Sequence, residues 1–132
     1  MSSKRPDGRA MEVRPMGNPI IHVEVVGKDG KALQQFFGTL FDWDIDTNLP
    51  GGYGIAEKAG GGGADFGAGP SPDGGSGQVT FYVRVPSIDD TLARVTSLGG
   101  AVVMPKFSAG SATLALFADP EGHVIGLTEG AM

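Results

Sequence analysis

Apolar and polar residues alternate across residues 20–26, where β-branched residues dominate, and this pattern predicts a β-strand. The alternation puts His22 and Glu24 on the same face of that strand. A helix is then predicted from Asp29, a candidate N-cap, to about Phe41, because apolar residues recur at i, i+3, i+4 and i+7. The apolar stripe of this helix consists of Leu33, Phe36, Phe37 and Leu40.

The segment after the helix returns to strand-like alternation. Residues 42–46 carry Trp43 and Ile45 on one side, which predicts a second strand. Two weaker strand candidates, surrounded by glycines, follow at 53–57 and 64–68. The first half of the chain is therefore predicted to run strand, helix, and then three strands.

The second half repeats this order of elements. Residues 79–85 alternate and predict a strand, which Pro86 ends. Ser87 and Asp90 have the spacing of a capping box, and the helix that they begin is predicted to run to Leu98. Three more strands are predicted at 101–104, 112–118 and 123–128. A repeat near half the chain length indicates an internal structural duplication.

Composition narrows the class of protein. The chain has 132 residues, enough for one domain with a substantial core, and it contains no cysteine, which excludes disulfides and thiolate zinc sites. The net charge of −5 argues against nucleic-acid binding by the folded part. No apolar run approaches the roughly 20 residues that a membrane span needs. We therefore expect a cytoplasmic protein whose partners include neither nucleic acid nor membrane.

Basic residues and glycines are unevenly distributed. Four of the ten basic residues lie within residues 1–17, among serine, proline and glycine, and this segment is expected to be a flexible leader. A basic arm that contacts an anionic partner, in a plain interaction domain, is the alternative. The glycine-rich runs 60–63 and 67–77 are expected to form long flexible loops.

Three motifs, in order along the chain, have the spacing of a known superfamily. They are FFGTLFDW at residues 36–43, the strand 79–85 with its following SIDDTLAR and LGG, and FADPEGHVIGL at residues 117–127. In the last motif, Pro120 presets φ for a tight turn and Gly122 tolerates a positive φ. Together they resemble the glyoxalase/bleomycin-resistance/dioxygenase superfamily, also called the vicinal oxygen chelate superfamily.

The resemblance implies an α+β fold. In that fold, paired βαβββ modules form a curved, mostly antiparallel sheet around a cavity, with the helices outside. The domain is expected to span residues 18–132, with module one at about 20–68, a Gly/Pro-rich linker at about 69–77 and module two at about 78–128. Because members of the superfamily usually pair modules between chains, the resemblance also implies a homodimer.

The resemblance further implies where a divalent metal would bind in members that use one. Ligands there come from the first and last strands of each module. His22 matches such a position, whereas Thr80 and Gly126 do not, and Asp65 of module one is interpreted as a loop residue. We therefore expect no cofactor and no metal at the usual site. A noncanonical divalent-metal site built on His22 and Glu24 is the alternative.

The superfamily includes both binding proteins and enzymes, so the fold alone does not decide the function. The first hypothesis is a protein that binds a small hydrophobic or aromatic molecule in the sheet cavity, in the manner of bleomycin-resistance proteins. The alternative is a lyase, isomerase or dioxygenase-type enzyme in which Glu24 and His22 are catalytic, as acid/base groups or metal ligands. The candidate ligand-binding residues are His22, Glu24, Trp43, Tyr53, Thr80, Tyr82 and Phe117. Each of these residues also has a purely structural alternative as part of the core or the sheet wall.

Overall fold

The computed structural model describes residues 17–61 and 63–130, so all of the expected leader except Gly17 lies outside the described residues. The described residues form two consecutive groups of elements. The first group is β1 (Ile20–Gly27), α1 (Gly30–Phe41), β2 (Gly54–Ala56) and β3 (Asp65–Pro70). The second group is β4 (Gln78–Val85), α2 (Ile88–Ser97), β5 (Ala101–Ala109), β6 (Ala112–Ala118) and β7 (Val124–Glu129). Short 3₁₀ turns lie at Pro50–Gly52 and Ala59–Gly61.

All seven strands belong to one curved sheet in the order β2-β3-β1-β4-β7-β6-β5. The two modules join through the antiparallel pair β1–β4 at the centre of the sheet. Within the modules, β1–β3 and β4–β7 are parallel, and the remaining pairs are antiparallel. The α+β fold with a mostly antiparallel curved sheet and two helices is thus confirmed.

Both helices begin where the capping residues predict. The Asp29 carboxylate accepts a hydrogen bond from the Ala32 N–H at 3.0 Å, and the Ser87 hydroxyl accepts one from the Asp90 N–H at 3.2 Å. The end of α2 is followed by Gly99 at φ +95°, a conformation that glycine adopts without steric cost. Local sequence chemistry therefore determines the helix ends in both modules.

Each module has its own core, on the side of the sheet that its helix covers. Beneath α2 the buried residues are Val85, Ile88, Leu92, Ala115 and Leu127. Beneath α1 they are Ala56, Phe66 and Ala68, with Leu33, Phe37, Trp43 and Ile45 packed against them. Neither α1 nor α2 covers the opposite face of the sheet, where a cavity opens.

Module one has one strand fewer than predicted. Residues 42–46 form only an isolated bridge between Asp46 and Ile55, although Trp43 and Ile45 do share one side as expected. The carboxylate of Asp46 accepts a hydrogen bond from the Asn48 N–H at 2.9 Å. This side-chain contact turns the backbone away from the sheet directly after the bridge, which prevents a longer strand.

Two other strands extend beyond their predicted ends. β5 runs through Pro105 to Ala109, because it lies at the edge of the sheet and its pairing with β6 is interrupted by register shifts around the proline. β3 reaches Pro70, so the first glycines of the run 67–77 lie in the sheet and not in a flexible loop. Parallel pairing with β1 overrides the loop preference of those glycines.

The apolar stripe of α1 is only partly buried. Leu33 and Phe37 pack against the core, but Phe36 and Leu40 are 59% and 58% exposed. Gln34, which is polar, is buried at 8% exposure. The helix is therefore rotated relative to its predicted orientation on the sheet. Neither α1 nor α2, the helices of the described residues, is long and apolar enough to cross a membrane.

Candidate functional site

A cavity of about 560 Å³ opens on the helix-free face of the sheet. Its walls are mostly apolar and include Ile21, Leu49, Pro50, Ile55, Ala112 and Leu114. Four polar side chains, from His22, Glu24, Tyr53 and Tyr82, meet at one part of this wall. An apolar pocket with a few convergent polar groups is the usual form of a small-molecule site.

The four polar groups lie together because of strand register. His22 and Glu24 are two residues apart on β1 and therefore share a face. Tyr82 lies opposite His22 in the antiparallel pair β1–β4, and its ring meets the imidazole edge-on at a centroid distance of 5.7 Å. Tyr53 comes from the segment before β2, and its ring stacks on His22 at 6.1 Å.

A chain of hydrogen bonds joins these residues. The Tyr53 hydroxyl donates to Glu24 Oε1 at 2.9 Å, and His22 Nε2 lies 2.7 Å from the same hydroxyl oxygen. Since the hydroxyl has a single hydrogen, His22 donates from Nε2 to Tyr53. Tyr82 makes a longer contact of 3.4 Å with Glu24 Oε2. Glu24 is thus the last acceptor in this series of hydrogen bonds, and each of its carboxylate oxygens contacts one tyrosine hydroxyl.

Burial and the charge of Glu24 alter the acidity of the groups around it. Desolvation lowers the pKa of His22, against the opposing effects of Glu24 and Asp65, so the imidazole is held neutral. Desolvation, reinforced by the Glu24 carboxylate, raises the pKa of Tyr82 to about 12 and the pKa of Tyr53 further. Both tyrosines therefore remain protonated hydrogen-bond donors across the physiological pH range.

Two glycines make room for the tyrosine rings. A Cβ atom built on Gly126 would lie 2.3 Å from the Tyr82 ring, and one built on Gly67 would overlap the Tyr53 hydroxyl. Gly126 is the register partner of Tyr82, and Gly67 is the register partner of Glu24. The two modules therefore use glycine at corresponding positions, on the strands that run parallel to β1 and β4.

The local backbone explains how Tyr53 reaches the cavity. Gly51 and Gly52 precede it with φ of +74° and +76°, which lets the chain turn sharply before β2. The buried Gln34 amide donates from Nε2 to the carbonyls of Gly52, at 2.7 Å, and Ala68, at 2.8 Å. Gln34 thus ties the segment that carries Tyr53 to both α1 and β3.

The residues at the usual metal-ligand positions do not fit a metal ion. His22 is the one matching ligand, and its Nε2 is already bonded to Tyr53. The buried Thr80 hydroxyl donates to the Val124 carbonyl at 2.7 Å, and the space at Gly126 is taken by the Tyr82 ring. Asp65 is the first residue of β3, not a loop residue, and its carboxylate accepts from the Lys58 N–H at 2.7 Å. Within residues 17–61 and 63–130, no group of three His, Cys, Asp or Glu residues is placed to hold a metal.

Three of the expected ligand-binding residues lie away from the cavity. Trp43 packs on Phe66, with ring centroids 4.8 Å apart, in the core beneath α1. Phe117 packs against the core beneath α2, because it faces the helix side of β6. Thr80 is 4% exposed and is occupied by its bond to β7. These three residues do not line the cavity, whereas His22, Glu24, Tyr53 and Tyr82 do. Ligand binding by any of the seven stays a prediction.

The sequence interpretation did not identify the apolar residues of the cavity wall, nor the residue that holds the Tyr53 segment in place. Leu114 on β6 and Ile55 on β2 line the cavity, and Gln34 positions the Tyr53 segment. The alternation in β6 carried a signal for Leu114, since it places this residue on the face opposite Ala115, which is buried in the core beneath α2. The internal repeat carried a signal for Gln34 as well, since superposing His22 on Thr80 aligns Gln34 with Leu92, which is buried beneath α2.

Sequence comparison agrees with this fold. A family model described as a glyoxalase-like domain matches residues 22–128. The chain belongs to this glyoxalase-like domain family, and with it to the vicinal oxygen chelate superfamily. The CFP32 proteins of Mycobacterium tuberculosis and Mycobacterium bovis, which are provisionally named glyoxylases, are 32% identical to it over 112 residues. That match covers 80% of this chain but only 43% of each relative, so the chain spans less than half the length of these curated relatives.

Solved structures with low sequence identity share the fold. Methylmalonyl-CoA epimerase from Mycobacterium tuberculosis superposes with a TM-score of 0.59 at 17% identity, over 86% of this chain and 88% of the epimerase. A Legionella pneumophila chain described as an NAD-dependent benzaldehyde dehydrogenase gives a TM-score of 0.63 at 14% identity, over 83% of this chain and 98% of its own. At such identities the likeness shows the fold and no shared activity.

Proposed function

We propose that this chain binds a small hydrophobic or aromatic molecule in the sheet cavity, without a metal at the superfamily's usual ligand positions. The observation that supports this proposal is the pairing of a predominantly apolar wall with the ordered group His22, Tyr53, Glu24 and Tyr82. The cavity volume of about 560 Å³ lies within the range of drug-sized ligand sites. A cytoplasmic location is part of the same proposal.

A fragment screen by ligand-observed NMR tests this function. Leu114→Arg puts a charge on the cavity wall and is expected to abolish the binding of neutral aromatic fragments. Ser108→Arg is the matched control, because Ser108 is exposed on the neighbouring strand and does not line the cavity. Fragments that bind the wild type and both variants equally would contradict the proposal. Failure of every fragment to show saturable binding to the wild type would contradict it as well.

A second candidate function is proton-transfer catalysis, as in a lyase or isomerase. The hydrogen-bond chain from His22 through Tyr53 to Glu24 favours it, because a carboxylate facing an apolar cavity is suited to act as a general base. Carbonyl compounds with an acidic α-hydrogen, incubated in deuterated water, would then gain deuterium with the wild type. The gain of deuterium should disappear in Glu24→Ala and decrease in His22→Ala. Deuterium exchange at the wild-type rate in both variants would refute these catalytic roles.

We also propose that the chain forms a homodimer. Support comes from a second, larger groove of about 730 Å³ between α1 and the central strands, where Val79 is 77% and Phe36 59% exposed. Apolar surface of this kind is typical of an interface, and a second copy of the chain would cover it. Light scattering should give the dimer mass at micromolar concentration for wild type and the monomer mass for Val79→Asp. A monomeric wild type would contradict the proposal.

A further inference from the structure

The charge on the cavity wall comes from one carboxylate. Glu24 is the one acidic residue among the described residues that line the cavity, and neither lysine nor arginine is among them. Arg84 is the nearest cationic candidate on β4, but Glu24 lies opposite Thr80, four residues earlier on that strand. Neither of the ion pairs among the described residues involves Glu24 or Arg84. The cavity therefore presents a negative charge to whatever enters it.

The groups that contact Glu24 are neutral donors. Tyr53 and Tyr82 place one hydroxyl on each carboxylate oxygen, at 2.9 and 3.4 Å, and so orient the carboxylate without neutralising it. Each carboxylate oxygen can accept a second hydrogen bond, so capacity remains for a donor on a ligand. The arrangement holds an anion in place, and no cation of residues 17–61 and 63–130 is paired with it.

Aromatic rings flank this carboxylate. Tyr53 and His22 are stacked with an interplanar angle of 26°, and Tyr82 stands nearly perpendicular to His22 at 77°. The negative π-faces of tyrosine rings attract a cation within about 6 Å of the ring centroid. A carboxylate and two tyrosines at one end of an apolar pocket thus form a complementary surface for an organic cation.

We propose that the ligand of this cavity carries an ammonium group on an apolar or aromatic body, with the positive charge bound at the Glu24 carboxylate beside Tyr53 and Tyr82. This inference rests on the proposed binding function and specifies its ligand class. Anionic compounds, such as carboxylates and phosphates, are excluded by the same charge.

Three phenols that differ in one substituent provide the test. 4-Hydroxyphenyltrimethylammonium is the cation, 4-tert-butylphenol is its neutral isostere, and 4-hydroxybenzoate is the anion. Affinities are measured by calorimetry and NMR titration at low and high salt. We expect the cation to bind at least about tenfold more tightly than the isostere, and the anion not to bind. High salt should weaken only the cation.

Glu24→Gln keeps the size of the side chain and its acceptor for Tyr53 while removing the charge. In this variant the tenfold preference should fall to about one, with neutral binding retained. Glu121→Gln is the matched control, because it changes the net charge equally at an exposed turn residue. The Glu121→Gln variant should still bind the cation about tenfold more tightly than the neutral isostere.

The outcomes separate this inference from the function on which it rests. Equal affinity of the wild type for cation and isostere would overturn the inference while leaving the binding function in place. A cation preference that survives Glu24→Gln would overturn it as well, since the charge would then bind elsewhere. If none of the three phenols bound the wild type, the binding function and the inference would both be rejected.

Discussion

The ring of Tyr82 lies directly over the α-carbon of Gly126, so that a Cβ atom at position 126 would sit 2.3 Å from two ring carbons. Tyr53 stands in the same relation to Gly67, whose Cβ would overlap its hydroxyl. Glycine occurs at the corresponding point of each module, and a tyrosine fills the space that a longer side chain would need.

Gly126→Ala should destabilise the fold, because the new Cβ would clash with the Tyr82 ring as far back as Cγ, the ring atom nearest the backbone of β4. The expected loss is ~1–3 kcal/mol of unfolding free energy, the usual cost of overpacking a filled site. Urea denaturation measures it. Tyr82→Ala combined with Gly126→Ala should cost less than the sum of the two single changes. Strict additivity would contradict the contact.

Gly67→Ala should behave differently. Its clash is with the far ends of two side chains, the hydroxyl end of Tyr53 and Nε2 of His22. Tyr53 lies on a segment preceded by two glycines at positive φ, so both side chains can shift at little cost. We expect a smaller loss of stability than for Gly126→Ala, together with loss of the His22–Tyr53 hydrogen bond. NMR of the His22 ring nitrogens would detect that loss. An unchanged Nε2 signal would contradict the expectation.

Tyr53→Phe should cost more stability than Tyr82→Phe. The Tyr53 hydroxyl bonds to both His22 and Glu24 at 2.7 and 2.9 Å, whereas the Tyr82 hydroxyl makes one contact at 3.4 Å. A hydrogen bond to a charged group contributes about 1.5–3 kcal/mol when buried and less in a partly exposed site such as this one. Thermal denaturation of the two variants side by side gives the comparison. Equal shifts, or a larger shift for Tyr82→Phe, would be inconsistent with the geometry.

The stability of the protein should depend on pH through His22. Desolvation lowers the pKa of this histidine in the folded state below the 6.5 of the unfolded chain. Above pH 6.5 both states are neutral at this site, but as the pH falls below 6.5 the unfolded chain takes up the proton first, and stability is lost. The unfolding free energy, measured by urea denaturation between pH 7.5 and 5, should depend less steeply on pH for His22→Gln than for the wild type. Parallel curves would contradict the lowered pKa.

The sequence predicted those parts of the fold that local chemistry controls. The N-caps Asp29 and Ser87 begin their helices as expected, and alternation in β1 correctly paired His22 with Glu24 on one face. Prediction failed where long-range packing decides. Trp43 was expected in the cavity, but it packs in the core against Phe66 of β3, a residue far from it in sequence. Sequence spacing carries no information about which side of the sheet such an aromatic residue will cover.

Gln34 is buried on α1, and its amide holds the segment that carries Tyr53. Its position matches Leu92 of module two, which is buried in the core beneath α2, whereas Gln34 is buried with its amide bonded to two carbonyls. Gln34→Leu would leave the carbonyls of Gly52 and Ala68 without this donor. Gly52 is exposed, so water can replace the amide there, but Ala68 is fully buried. A buried carbonyl left unsatisfied costs about 1–3 kcal/mol, so the variant should be less stable although it is more hydrophobic.

The same change should also loosen the segment that carries Tyr53. Hydrogen exchange at the amides around Gly52 should accelerate in Gln34→Leu, while exchange in α2 should stay at the wild-type rate, relative to the global stability of each protein. Gln35→Leu is the matched control, because Gln35 is the exposed neighbour on α1. It should leave both rates unchanged. If Gln34→Leu stabilised the protein, the buried amide would lower the unfolding free energy of the wild type. The position of Tyr53 would then depend on the glycine turn alone.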